Sequence, residues 1–162
     1  MTEKKKQYII KNLKWPIGFT GYLWNYFSLF VPAVLLSIVP TEYDRGRPIA
    51  GLIFISLFLI FLIIYGVETE RTFKKLTLTK DWSTSEIAKI LEKNTFSFVN
   101  QTDGVLEIGT RISAFSWGEK ITIIKVTKDL ILINTQPTGR GFISFKNKAN
   151  YNKIKAILAA VK

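Results

Sequence analysis

Between Ile49 and Val67 the chain runs for nineteen residues without a charge, IAGLIFISLFLIFLIIYGV, and fourteen of them are Leu, Ile, Phe or Val. Coiled as a helix at ~1.5 Å per residue, this run reaches roughly 28 Å, close to the hydrocarbon thickness of a bilayer. On an insertion scale those fourteen side chains favour the membrane by very roughly 4 to 8 kcal/mol before end effects. Apolar runs in soluble cores usually stop near ~10–14 residues, so the stretch 49–67 reads as a membrane span.

A second apolar run precedes it, from Ile17 to Val39. It follows a lysine-rich lead, residues 1–16, with Lys4, Lys5, Lys6, Lys11 and Lys14 ahead of Trp15 and Pro16. A cleaved signal peptide would carry a shorter apolar core and a small-x-small cleavage pattern, and neither is present, so the run is expected to be retained as a span. Trp15 is expected at the interface beside the lysines. Within this run Gly18, Gly21, Asn25, Ser28 and Pro32 recur at spacings of three and four, which lines them along one helix face. Small and polar residues on one stripe let helices approach closely in lipid, so the stripe is a candidate helix–helix interface. Ser56, Leu59, Ile63 and Gly66 form a sparser matching seam on the second run. An antiparallel hairpin would set Gly18 level with Gly66 and Pro32 level with Ser56. Asn25 then faces Ile63 and must bond its own backbone, a water or another chain.

Only Pro40 to Pro48 separates the runs, and its two acidic and two basic residues cancel. The net charge of +11 therefore lies outside the hairpin, on both flanks. Lysines before the first run, and Arg71, Lys74, Lys75 and Lys80 after the second, outnumber the two arginines of the loop. The positive-inside rule then places both termini in the cytoplasm, at a plasma or inner membrane. Lys4, Lys5, Lys6, Arg71, Lys74 and Lys75 are candidate contacts to anionic lipid. In this orientation the sequon Asn100-Gln101-Thr102 never meets glycosylating enzymes.

Residues 68–80 read as a connector in which the helix continues a turn or two, supported by Glu68–Arg71 and Glu70–Lys74 pairs, before a short strand at Leu76–Thr79. Residues 81–162 have the composition of a small soluble domain. Ser83-Thr84-Ser85-Glu86 is a capping box that opens a helix with Ile87, Ile90 and Leu91 on one face, ending at Asn94. Strands are expected at Thr95–Asn100, Val105–Thr110, Ile121–Val126, Leu130–Thr135 and Phe142–Phe145, with Ile112–Trp117 either strand or loop. A last helix, capped by Asn150, turns Ile154, Ile157, Leu158 and Val161 inward. The pattern is α+β, an antiparallel sheet of about four to six strands flanked by two helices over one face. A small pleckstrin-homology-like barrel would also accommodate that order.

The chain has no His and no Cys, which removes the commonest general base, thiol nucleophiles and the usual zinc ligands. Glu86 is taken by the cap, Glu92 by a helix exterior, and Asp103 and Asp129 by turns. Glu107 and Glu119 remain, with nothing in the sequence pairing them for acid–base work. Thr138-Gly139-Arg140-Gly141 is too short for a phosphate loop and precedes a strand rather than a helix. Phe115–Lys120 holds a Trp117-Gly118 pair, read as a core aromatic and a turn. Basic residues are dispersed rather than interleaved with aromatics on one stripe, which favours a lipid surface over nucleic acid. No cofactor, no metal and no enzymatic activity are expected. The expected role is a membrane-tethered interaction or regulatory module, self-associating through the first span and meeting an unidentified protein partner. A pore or transporter subunit is the alternative, with a membrane-bound enzyme behind it.

Overall fold

The computed structural model describes residues 1–46, 48–94, 96–102, 104–110, 118–137 and 146–161, without the side chains of Trp24, Asn25, Phe98 and Val99. Two compact units emerge, and they do not follow chain order: residues 1–16 join 69–162, and residues 17–68 form the other.

The first unit is built on a five-stranded antiparallel sheet. Its strands are β1 (Lys74–Thr77), β2 (Ser97–Thr102), β3 (Val105–Gly109), β4 (Glu119–Lys125) and β5 (Leu130–Pro137), in the order β1-β5-β4-β3-β2. The last four form a meander, and β1 closes onto β5 with Lys74 opposite Ile133 and Thr77 opposite Leu130. Alternation assigns the faces. Leu106, Ile108, Ile121, Ile123, Ile131 and Ile133 point one way, into a core completed by α6 (Thr84–Lys93) and α7 (Asn147–Ala160) through Ile87, Leu91, Ile154 and Leu158. Val105, Ile124 and Leu132 point the other way, into a smaller core with Phe73 and Ile9.

Ile9 belongs to α1 (Glu3–Asn12), which the lysine-rich lead forms. The fold is thus α+β as expected, but its sheet is covered on both faces: α6 and α7 on one, α1 on the other. The two helices expected over one face are α6 and α7, and the cover of the other face by α1 was not expected. Residues 9–15 supply the apolar side chains, Ile9, Ile10, Leu13 and Trp15, that cover the face carrying Val105, Ile124 and Leu132. Among the described residues β1 and β2 do not pair with each other, and no closed barrel is formed there.

Local signals account for most boundaries. Ser83 and Glu86 make the reciprocal capping bonds, with the Glu86 amide donating to Ser83 Oγ at 3.2 Å and the Ser83 amide donating to Glu86 Oε2 at 2.8 Å. Gly104, at φ +70°, makes the β2–β3 turn. The final helix starts four residues earlier than expected, behind Lys146, so Asn150 is not its cap but a buried residue within the helix. Lys74 lies in β1 rather than on the preceding helix, which removes the expected Glu70–Lys74 helical pair. The segments expected at Ile112–Trp117, Thr138–Gly141 and Phe142–Phe145 fall outside the described residues.

The second unit contains α2 (Phe19–Tyr26), a 3-10 turn at Phe27–Leu29, α3 (Phe30–Ser37), α4 (Val39–Asp44) and most of α5 (Ala50–Arg71). The first apolar run is not one regular helix. Pro32 cannot donate to the Ser28 carbonyl, and the coil tightens to 3-10 geometry just there. Helix then extends to Asp44, through half of the stretch expected as a loop, with Pro40 in the first turn of α4 and the turn itself at Arg45–Gly46. By length and apolar composition, Phe19–Asp44 and Ala50–Arg71 are each able to cross a membrane.

Candidate functional site

The chain leaves the sheet unit after Pro16 and re-enters it at Thr69, and the two strands of chain at that point are locked together. Leu13, at φ +54°, ends α1 and turns the backbone so that residues 13–15 run antiparallel to 71–73. The Phe73 amide donates to the Leu13 carbonyl at 2.7 Å, and the Trp15 amide to the Arg71 carbonyl at 3.0 Å. Arg71 is buried, and its guanidinium donates to the Trp15 carbonyl at 3.0 Å.

Asn134 of β5 sits beneath this crossing with no exposed surface. Its amide nitrogen donates to the carbonyls of Glu70 at 2.7 Å and Thr72 at 2.9 Å, while its oxygen accepts the Trp15 indole N–H at 2.7 Å. Asn147 of α7 donates to the carbonyls of Thr69 at 3.0 Å and Thr72 at 3.2 Å. These carboxamides satisfy carbonyls that the C-terminal end of a helix leaves without intrahelical donors. Trp15 also packs on Phe73, with ring centroids 5.1 Å apart, beneath the Lys5 ammonium at 4.7 Å. Trp15 is thus bonded within the sheet unit. Sequence reading passed over Asn134 entirely, although one polar residue in an otherwise apolar LILIN run was the available signal.

Of the lysines and arginine expected at a lipid surface, Lys4, Lys5 and Lys75 are exposed, Lys6 and Lys74 are half-buried, and Arg71 belongs to the crossing just described. Lys74 lies over the Tyr151 ring at 5.5 Å, and the Tyr151 hydroxyl donates to the Lys75 carbonyl at 2.9 Å. Burial, and then the charge of Lys148, hold the Lys74 ammonium below its usual pKa.

The two unassigned carboxylates each acquire a cation. Glu107 pairs with Lys120 at 2.8 Å across neighbouring strands. Glu119 is only 4% exposed; Oε1 faces Lys146 Nζ at 2.9 Å, and Oε2 accepts from Asn150 Nδ2 at 3.0 Å. Both oxygens of Glu119 are thereby engaged, tying the start of β4 to the first turns of α7. Glu119 is the buried member of this pair, and the Lys146 side chain is exposed. Among the described residues no cluster of acidic side chains is spaced to hold a metal ion.

In the apolar unit, Pro32, Ser56 and Gly66 are buried, Gly21 is half-buried, and Gly18 and Ser28 are exposed. The Asn25 side chain lies outside the described residues. Ser56 donates to the Leu52 carbonyl one turn back at 2.8 Å, so its hydroxyl is satisfied within its own helix. Tyr26 donates to Glu68 at 3.1 Å. Large aromatic side chains stand outward: Phe19 is 78% exposed, Phe54 70% and Phe61 62%.

No family model, curated protein or solved structure matches this chain.

Proposed function

We propose that the chain is an integral membrane protein: its apolar helices cross the bilayer as a hairpin, and its sheet unit serves as a non-enzymatic interaction or regulatory module at the cytoplasmic surface. The observation that carries this reading is the outward-facing apolar surface of α2–α5. A core helix of a soluble protein hides such phenylalanines, whereas these stand uncovered along two helices of spanning length.

The composition of the sheet unit supports the hairpin independently of charge counting. Residues 1–16 and 69–162 fold around shared cores, and one folded body lies on one side of a membrane. The intervening apolar segment therefore enters and leaves through the same face. Lysines on both flanks favour the cytoplasmic side. Self-association through the small and polar residues Gly18, Gly21, Asn25, Ser28 and Pro32 remains part of the proposal.

Membranes carrying the full chain are washed with alkaline carbonate, and the chain is also inserted into microsomes. Retention in the washed pellet, with Asn100 unglycosylated, is the expected result. Release into the supernatant removes the membrane reading, and glycan on Asn100 reverses the orientation.

A further inference from the structure

The outer surface of α7 carries Lys148, Lys153 and Lys155 and no acidic residue along its fourteen positions. Lys148, Tyr151 and Lys155 recur at i, i+3 and i+7, which places them on one face. β1 brings Lys74 to that face, with its ammonium over the Tyr151 ring. Among the described residues no carboxylate pairs with Lys74, Lys148 or Lys155, whereas Lys120, Lys125 and Lys146 are each matched by one. Lys74, its ammonium over the Tyr151 ring and its charge disfavoured first by burial and then by Lys148, is in an arrangement that an anion completes.

The position in the chain indicates which anion. Lys74 is three residues beyond Arg71, the end of α5, so extended backbone keeps it within about 10 Å of that helix end. If α5 spans the bilayer, Lys74 stands beside the headgroup layer, which is about 5–7 Å deep on each side. We propose that Lys74, Lys148 and Lys155, around Tyr151, form a site for the phosphate of an anionic phospholipid, held at the bilayer surface. The site rests on the membrane reading above and gives the sheet unit a lipid preference that a tether alone would lack. Its consequence is orientation: one edge of the sheet, β1 with α7, is drawn to the headgroups.

The test uses the purified full chain in nonionic detergent micelles, titrated with phosphatidylglycerol, phosphatidylcholine or inorganic phosphate, with bound molecules counted by native mass spectrometry. Phosphatidylglycerol is expected to bind in preference to phosphatidylcholine. Each lysine near an anionic headgroup contributes about fivefold in affinity, so Lys74→Gln with Lys148→Gln is expected to weaken phosphatidylglycerol binding by roughly 25-fold. Lys74→Arg with Lys148→Arg is expected to preserve it. Lys89→Gln with Lys93→Gln, on α6, is expected to leave it unchanged. Equal retention by the first pair, an equal loss from the α6 pair, or inorganic phosphate binding as tightly as the lipid would each overturn the site. A chain that resists carbonate yet shows no such preference loses this inference alone; a chain that carbonate releases loses the membrane reading first.

Discussion

Replacing Asn134 by Leu keeps the number of side-chain heavy atoms at the chain crossing and removes its three hydrogen bonds. The Trp15 indole N–H and the Glu70 carbonyl lose the partners described here, while the Thr72 carbonyl keeps Asn147 at 3.2 Å. A buried polar group left without a partner costs about 1–3 kcal/mol. Trp15 and Glu70 are half-buried, so each falls toward the lower end, and the added apolar burial offsets a fraction. A net loss of about 2–4 kcal/mol is expected, a large part of the ~5–15 kcal/mol that holds an ordinary domain together. Urea unfolding of the detergent-solubilised chain, followed by near-ultraviolet circular dichroism, measures it. Trp15→Phe alone and combined with Asn134→Leu completes a double-mutant cycle, and a coupling of about 1 kcal/mol is expected for bonded neighbours. Trypsin should also cut faster after Lys11 and Lys14, because α1 is released when the crossing opens. A loss under about 0.5 kcal/mol, or strictly additive single and double variants, would refute the assignment of Asn134 as the fastener of the two chain segments.

Two further outcomes follow from the sheet unit. Ile9→Ala leaves a void between α1 and the sheet and should cost about 2–4 kcal/mol, read from the same urea midpoint; an unchanged midpoint would mean that α1 does not cover that face in solution. Ser83→Ala should cost about 1 kcal/mol through loss of the α6 cap. The Ser83 side chain, then its backbone amide, holds the Glu86 carboxyl below its ordinary 4.5. Because the folded pKa is the lower one, that contribution is complete above pH ~4.5 and fades as pH falls through the folded value. The acid limb of stability against pH should be shallower in Ser83→Ala, and an identical limb in both proteins would sink the assignment.

Features encoded within a few residues were legible in advance. Ser83 and Glu86 are three apart and determine their own bonds; Gly104 is required by one turn; the alternation in Ile121–Val126 and Leu130–Thr135 produces β4 and β5 with small shifts at their ends. The run 49–67 became most of α5, a helix long and apolar enough to cross a membrane, because its uninterrupted apolar composition is itself a local signal. The same local logic failed where a residue had two uses. Asn150 has the chemistry of a cap, yet Glu119, thirty-one residues away, takes its amide. Pro32 was counted in a helical stripe, but its missing N–H also tightened the coil ahead of it.

The amino-acid sequence alone determined the α+β class, two apolar helices of spanning length, and the absence of His and Cys chemistry, because composition and short-range periodicity carry that information. Tertiary structure decided that the chain's first sixteen residues complete a body whose remainder begins at Thr69, that Trp15 answers to Asn134 across 119 positions, and that Lys74 lies over the Tyr151 ring. Those pairings depend on which side chains remain uncovered once the strands have assembled, a quantity that no window of neighbouring residues contains.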